Sequence, residues 1–263
     1  MAAVTAAAAT EADLERRFGG LRRLYGDAGY ERLRRARVAV VGLGGVGSWA
    51  VEALARSGVA GLVLFDMDHV AESNVNRQVQ ALGSTLGMAK GQALAARVAD
   101  IHPGCTVHWV DEFVQPGNWP ALLTRPVDLL IDACDQSSAK LALAQWALES
   151  GTPLVCVGAA GGKRQAQAVC VADLSETTHD PLLASLRQRL RKAGAAPRQG
   201  RMGVSCVFSR EPVQRPAEAA CEPGAPLACA GYGSAVTVTA TFGLVAAGEA
   251  IERLLQKAPE TGI

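Results

Sequence analysis

Apolar residues along this chain alternate between short β-branched runs and longer stretches in which they recur at helical spacing. Residues 38–41 form a compact Val-rich run that ends in glycine, the pattern of a buried parallel strand. Val46, Ala50, Ala53, Leu54 and Ser57 then fall on one helical face, and residues 62–65 give a second strand that ends on Asp66. Further on, residues 93–98 continue a helix and residues 105–110 alternate as a third strand. Residues 127–131, 153–158, 169–171 and 203–208 read as strands. Helices are expected at 138–148 and 180–193, and a long Ala/Thr/Val helix within 230–255. Strands alternating with helices predict an α/β fold, a Rossmann-like doubly wound and mainly parallel sheet. Further strands and a long helix extend it at the C-terminal side.

The pattern also divides the chain. Residues 1–13 read as an Ala-rich disordered tail, and 14–36 as an Arg-rich helical arm broken at Gly26 and Gly29. Residues 37–255 form the main domain, with a basic insertion at about 180–202 and a Pro/Gly/Ala-rich mobile loop at about 211–229; 256–263 are a second tail. The last helix could be mistaken for a membrane span, but Gly243, Gly248 and Glu249 cut its apolar run, so a buried helix is expected.

Composition narrows the classes. With 263 residues, 49% hydrophobic content and net charge +1, the chain is long enough for one large domain and carries no global basic excess for nucleic acid. Its 7 cysteines form no C-x-x-C pair, which argues against a disulfide framework or a zinc ribbon and for a reducing cytoplasm. Cys206, mid-strand between Val204 and Val207, reads as a core thiol rather than a nucleophile. The one-sided charge is local. Arg187, Arg189, Arg191, Lys192, Arg198, Arg201 and Arg210 occur with no acid between them. Such a run is either a solvated face or a phosphate-backbone contact, and with no aromatics interleaved it does not suggest base stacking.

Chemistry concentrates between residues 37 and 90. Gly42, Gly44 and Gly47, with Gly45 added, give G-x-G-x-x-G between a strand and a helix. Such glycines let backbone amides and a helix N-terminus approach phosphate, and Asp66 at the second strand's tip can accept ribose hydroxyls. An NAD oxidoreductase would share this much. The following Asp68, Asn74, Asn76, Arg77, Gln78 and Lys90 exceed its needs, since Arg and Lys beside amide side chains suit a triphosphate and its leaving pyrophosphate. Arg77 and Lys90 could also be ordinary solvated charges. Asp135, after the strand at 127–131, could hold Mg²⁺ against phosphate oxygens or simply cap the next helix.

The segment D-x-D-x-V-x-x-S-N-x-x-R-Q followed by Lys resembles the E1-like activating enzymes, which adenylate a carboxylate with ATP. Within them, RFGGLRRLYG, GLGGVGSWAVEALARSG, IDACD, GVSCVFS and TVTATFG resemble the tRNA threonylcarbamoyladenosine dehydratases, over nearly the whole chain from Arg16 to Leu255. The resemblance implies that the C-terminal strands and helix are the E1-like extension. It also implies ATP-dependent cyclisation of the threonylcarbamoyl group at tRNA position 37 through an acyl-adenylate. Asp66 would bind ribose, Asn74, Arg77, Gln78 and Lys90 the phosphates, and Asp135 the Mg²⁺-bound nucleotide, with Arg77, Lys90 and Asp135 catalytic. The remaining nucleotide contacts would come from the glycines and Asp68. It further implies a two-fold homodimer and, with less support from the residues, a sulfur-relay or carrier-protein partner. Gly20 stands where the second arginine of the family's R-Y-x-R pattern would be, which leaves Arg17 and Arg23 as candidates for an arginine acting in trans. Two other readings stay open. One is an adenylyltransferase for a small sulfur-carrier protein, against which the absent C-x-x-C pairs count. The other is an NAD-dependent oxidoreductase, with a non-catalytic tRNA-binding module behind it.

Overall fold

The computed structural model describes residues 12–214 and 232–256. Strands β1 (Arg37–Val41), β2 (Gly61–Phe65), β3 (Thr106–Val110), β4 (Leu129–Asp132), β5 (Leu154–Val157), β6 (Val169–Asp173) and β7 (Ser205–Ser209) form one sheet in the order β3-β2-β1-β4-β5-β7-β6. All neighbours pair parallel except β6, which runs antiparallel to β7 on the edge. Helices α1 (Leu14–Leu33), α2 (Gly47–Arg56), α3 (Lys90–Ile101), α4 (Ser137–Ser150), α5 (Pro181–Lys192) and α6 (Val236–Gln256) cover it.

The period-2 geometry of the strands sorts the core into two layers. Val38, Val40, Leu62, Leu64, Leu129 and Ile131 face α2, α3 and α6 through Leu54, Leu94, Phe242, Ala246 and Ile251. Ala39, Val41, Val63, Phe65 and Leu130 face the other way, onto Leu143 of α4 and Leu183, Leu186 and Leu190 of α5. Both faces being buried, the central strands contain no polar alternation, as a parallel sheet requires.

Several boundaries differ from the sequence reading. Asp13, assigned to the N-terminal tail, caps α1 by accepting from Arg16 N at 3.0 Å. α1 is kinked at Gly26 (φ 71°, ψ 172°) but continues through Gly29, where a Cβ would lie 3.2 Å from Leu255 Cδ2; that glycine admits a neighbour rather than breaking the helix. Gly243 does the same in α6: a Cβ there would come within 2.4 Å of Val46 O, so α6 lies close against α2. Among the described residues no helix is long and apolar enough to cross a membrane. The segment at 180–202 is no mere basic insertion, because α5 supplies an inner apolar face. The loop expected at 211–229 and the tails expected at 1–13 and 256–263 lie mostly outside the described residues, but Glu211 itself is buried and accepts from Arg164 N and Gln165 N.

The ends of that segment meet on one residue. Gln214 N donates to Gly162 O at 2.8 Å, and Gly162 N donates to Gly233 O at 2.9 Å. Gly162 has φ +70°, and a Cβ there would sit 2.8 Å from Val213 Cγ1, so glycine is required.

The arm packs against a buried histidine that follows α3. Arg34 Nη1 lies 2.7 Å from His102 Nε2, and the Phe18 ring stacks tilted on the imidazole at 4.7 Å. Burial, then the charges of Arg34 and Arg17, push His102 down to about 4. The unfolded chain therefore takes up a proton near pH 6.5 that the folded ring refuses until about pH 4, so stability falls on acidification across that window. Thermal unfolding between pH 7 and 4 should show this decline steeper in the native protein than in His102→Gln; equal slopes would refute it.

Candidate nucleotide site

The chain leaves β1 toward β2 on one side and returns to β4 on the other, so a crevice opens at the carboxyl ends of β1 and β4. The glycine loop lies there. Gly42 has φ +86°, and a Cβ on it would lie 2.9 Å from Ala133 O and Cys134 N, so the turns after β1 and β4 are in contact. A Cβ on Gly47 would be 1.8 Å from Gly42 O, which makes that glycine obligatory for the turn. Gly44 faces open space, while the Arg77 stem lies over Gly45, with its Cγ 3.1 Å from the added Cβ position. The amides of Gly44, Gly45 and Val46 donate to nothing among the described residues, and Val46 provides no side-chain cap to α2. A loop that turns unpaired N–H groups toward open space at a helix N-terminus is built for an anion.

Asp66 is buried at the tip of β2. Its Oδ2 accepts from Leu43 N at 2.7 Å and its Oδ1 from Asp68 N at 2.9 Å. The carboxylate thus holds the glycine loop in place. Burial raises its carboxyl above the usual value, opposed by Lys90 and the two amides. The long connection after β2 folds back on itself through a bridge between His69 and Ala89, and Lys90 N donates to Asp68 O. This brings Lys90, at the first position of α3, beside the carboxylates; its Nζ is 2.7 Å from Asp68 Oδ2 and its side chain is buried. Trp109, which the sequence reading did not single out, donates to Asp66 O at 2.9 Å across the first turn of α3. Gly91 makes room for it, since a Cβ there would collide with the indole at 2.2 Å.

The remaining predicted residues separate into those facing the crevice and those spent elsewhere. Arg77 is half-buried, with Nη1 2.7 Å from Ser73 O and 3.0 Å from Asn76 Oδ1. Gln78 is buried and accepts from Gln80 Nε2 at 3.1 Å. Asn74 uses its side-chain oxygen locally, accepting from Ala71 N at 3.1 Å, so only its NH₂ remains for a ligand. Asp135 is exposed and does not cap α4; Gln136 holds that position without a side-chain bond. An accessible carboxylate beside the glycine loop fits a Mg²⁺ carried mainly by phosphate oxygens. Among the described residues no group of three or more His, Cys, Asp or Glu could hold a metal alone.

Two expectations need correction. Arg17 donates to Asp100 O and Ile101 O, each at 2.7 Å, closing the C-terminus of α3, so it is not free to reach a second copy. Arg23 is exposed without a partner among the described residues. Within the basic run, Arg187 donates to Leu174 O, Thr177 O and Thr177 Oγ1, and Arg189 to Ser137 O, so both are committed to internal carbonyls. Lys192, Arg198 and Arg201 are exposed, and Arg191 is half-buried. Cys206 is fully buried and its thiol pKa is raised by burial, as a core residue's should be.

Beneath the crevice lies a charged cluster that sequence reasoning missed. Asp132 and Lys140 are both fully buried, with Nζ 2.9 Å from Oδ2. Cys134 donates to Asp132 Oδ1 at 3.0 Å, and Cys156 lies 3.4 Å from Oδ2. The pair anchors the strand end from which residues 133–135 run over the glycine loop. Its signal was legible, since Lys140 falls on the inward face of α4 with Leu143, Ala144 and Ala147.

The chain matches the ThiF family over residues 17–262. The tRNA threonylcarbamoyladenosine dehydratase of Haemophilus influenzae is 41% identical over 248 residues, covering 92% of this chain and 95% of that one. The Escherichia coli protein of the same name is 41% identical over 257 residues, covering 94% and 96%. The crystal structure of the E. coli dehydratase in complex with ATP superposes with a TM-score of 0.85 at 40% identity, covering 95% of this chain and 99% of that one. A more distant E. coli structure, MccB, shares the fold at TM-score 0.61 and 13% identity, covering 91% of this chain and 64% of that one.

Proposed function

The chain belongs to the ThiF family, and we propose that it is an ATP-dependent tRNA threonylcarbamoyladenosine dehydratase of the cytoplasm. The observation that carries this reading is the crevice itself, where a glycine loop with free amides is held by Asp66, has the Arg77 stem over Gly45 and touches the turn after β4 that leads to the exposed Asp135, with Lys90 on Asp68. Similarity at 41% identity over almost the full length of two dehydratases supports the choice of substrate.

The chemistry follows from the residues. A carboxylate is a poor electrophile because oxide or hydroxide would have to leave. Attack of the substrate carboxylate on the α-phosphorus of ATP forms the acyl-adenylate and expels pyrophosphate. The neighbouring carbamoyl group then attacks the activated carbonyl, releasing AMP with the former carboxylate oxygen and a proton to solvent. The ring closes with net loss of water. The enzyme's work is orientation and charge neutralisation. Loop amides and the α2 N-terminus cradle phosphate, Arg77 and Lys90 offset charge developing on the leaving pyrophosphate, and Asp66 orients the ribose. Mg²⁺, carried by the nucleotide with Asp135 as the carboxylate to hold it, would supply further neutralisation. Lys192, Arg198 and Arg201 offer exposed charge to the tRNA backbone. A homodimer belongs to the same reading, and Leu24, 70% exposed on the arm, offers an apolar contact for it. An adenylyltransferase acting on a sulfur-carrier protein is related, but its resemblance is shorter: a Drosophila willistoni protein named adenylyltransferase and sulfurtransferase is 31% identical over 50% of this chain.

The test is ATP turnover with tRNA bearing threonylcarbamoyladenosine, followed by mass analysis of the nucleoside. AMP, pyrophosphate and loss of one water from the nucleoside are expected. Reversing Lys192, Arg198 and Arg201 together to Glu should raise the KM for tRNA about tenfold or more while leaving ATP affinity unchanged. ATP consumption only on addition of a small carrier protein would overturn the reading.

A further inference from the structure

We propose that Gln80 is a positioning residue, one that sets the direction in which Gln78 presents its amide to the nucleotide. Gln80 is 2% exposed and lies beneath the glycine loop. Its Nε2 is 2.9 Å from Leu43 O and 3.1 Å from Gln78 Oε1. A peptide carbonyl can only accept, so the atom of Gln80 facing Leu43 O must be its NH₂ group. That NH₂ has a second proton, directed at Gln78, so the atom of Gln78 facing it must in turn be the oxygen. The backbone therefore fixes one amide and that amide fixes the other. Gln78 is left with its own NH₂ turned away from Gln80 and both protons available to an acceptor.

Two features mark this as more than packing. Gln80 Oε1 is buried and has no hydrogen-bond partner among the described residues, an arrangement that costs stability and is tolerated where the donor side is needed. The peptide it grips is also held from its other side: Leu43 N donates to Asp66 Oδ2 at 2.7 Å, so the turn that enters the glycine loop is clamped between a carboxylate and an amide. Without Gln80, the Gln78 amide is free to rotate by half a turn and present its oxygen instead, which repels phosphate.

The inference rests on ATP occupying the crevice, and the experiment separates the two. ATP binding is measured by calorimetry on the full chain, with steady-state kinetics alongside. Losing one aimed donor to a charged acceptor should weaken ATP binding about tenfold in Gln80→Met, and raise the KM for ATP similarly, with the KM for tRNA unchanged. Gln80→Glu keeps the volume and cannot donate as a carboxylate, so it should lose as much even if Gln80→Met folds poorly. The deciding arm is the background Gln78→Ala, in which Gln80→Met should cost no further affinity, since nothing remains to be aimed. An equal loss in both backgrounds would show that Gln80 acts on the loop alone and would overturn the proposal, as would unchanged affinity in the single variants. If the native chain binds no ATP, the functional reading itself fails.

Discussion

Lys140→Met is expected to lower the melting temperature by roughly 6–20 °C, the shift that loss of one member of a buried ion pair causes in a domain of this size. The reason is the state of what remains. Burial alone would strip Lys140 of its charge, and the neighbouring Asp132 carboxylate outweighs it, so the lysine pKa lies above its usual value. A raised lysine pKa gives stability that is present throughout the neutral range and lost only at strongly alkaline pH, so Lys140 should stay charged between pH 5 and 9. Removing the ammonium leaves Asp132, fully buried, with Cys134 N at 3.2 Å and two thiols as its compensation among the described residues. Adding Asp132→Asn to Lys140→Met should recover much of the loss, because the orphaned charge disappears. Thermal unfolding of both variants checks this. A shift below about 2 °C for the single variant would mean that the carboxylate protonates at little cost, and the argument would fail.

Lys90→Met and Arg77→Met should each reduce kcat/KM for the tRNA substrate by about 10²–10³-fold, the range for removing one preorganised charge from a developing anion. Their side effects should differ. Arg77 is half-buried but its guanidinium bonds the exposed Ser73 and Asn76, so its loss should leave the melting temperature within about 2 °C of native. Lys90 is buried and helps keep Asp66 ionised, so its loss should raise the Asp66 pKa further and destabilise the loop as well. Pyrophosphate release and unfolding, measured on the same preparations, separate the two contributions. Rates within threefold of native in both variants would remove these residues from the mechanism.

Much of this was written in the sequence, for a physical reason. The strand–glycine–helix turn, the carboxylate ending β2 and the lysine opening α3 depend on backbone constraints that act within a few residues. The sheet order follows from connections that must be right-handed and short. What the sequence hid were the destinations of long side chains. Arg17 and Arg187 look like free cations because the carbonyls they satisfy belong to helix ends and turns far from them in the chain, or visible only once those have folded. Asn74 looked like a ligand because residues 71–74 give no obvious local cap signature, yet its oxygen closes a single turn. Gln80 had no pattern to reveal it: its importance comes from one carbonyl, 37 positions earlier, that happens to face it.

Gly162 bonds to both Gln214 and Gly233, and this has an evolutionary consequence. Both anchors hang on one residue whose backbone conformation only glycine adopts without strain. Selection therefore acts on them as a unit: a change at Gly162 loosens residues 214 and 233 together, whereas a change at either partner leaves the other bond in place.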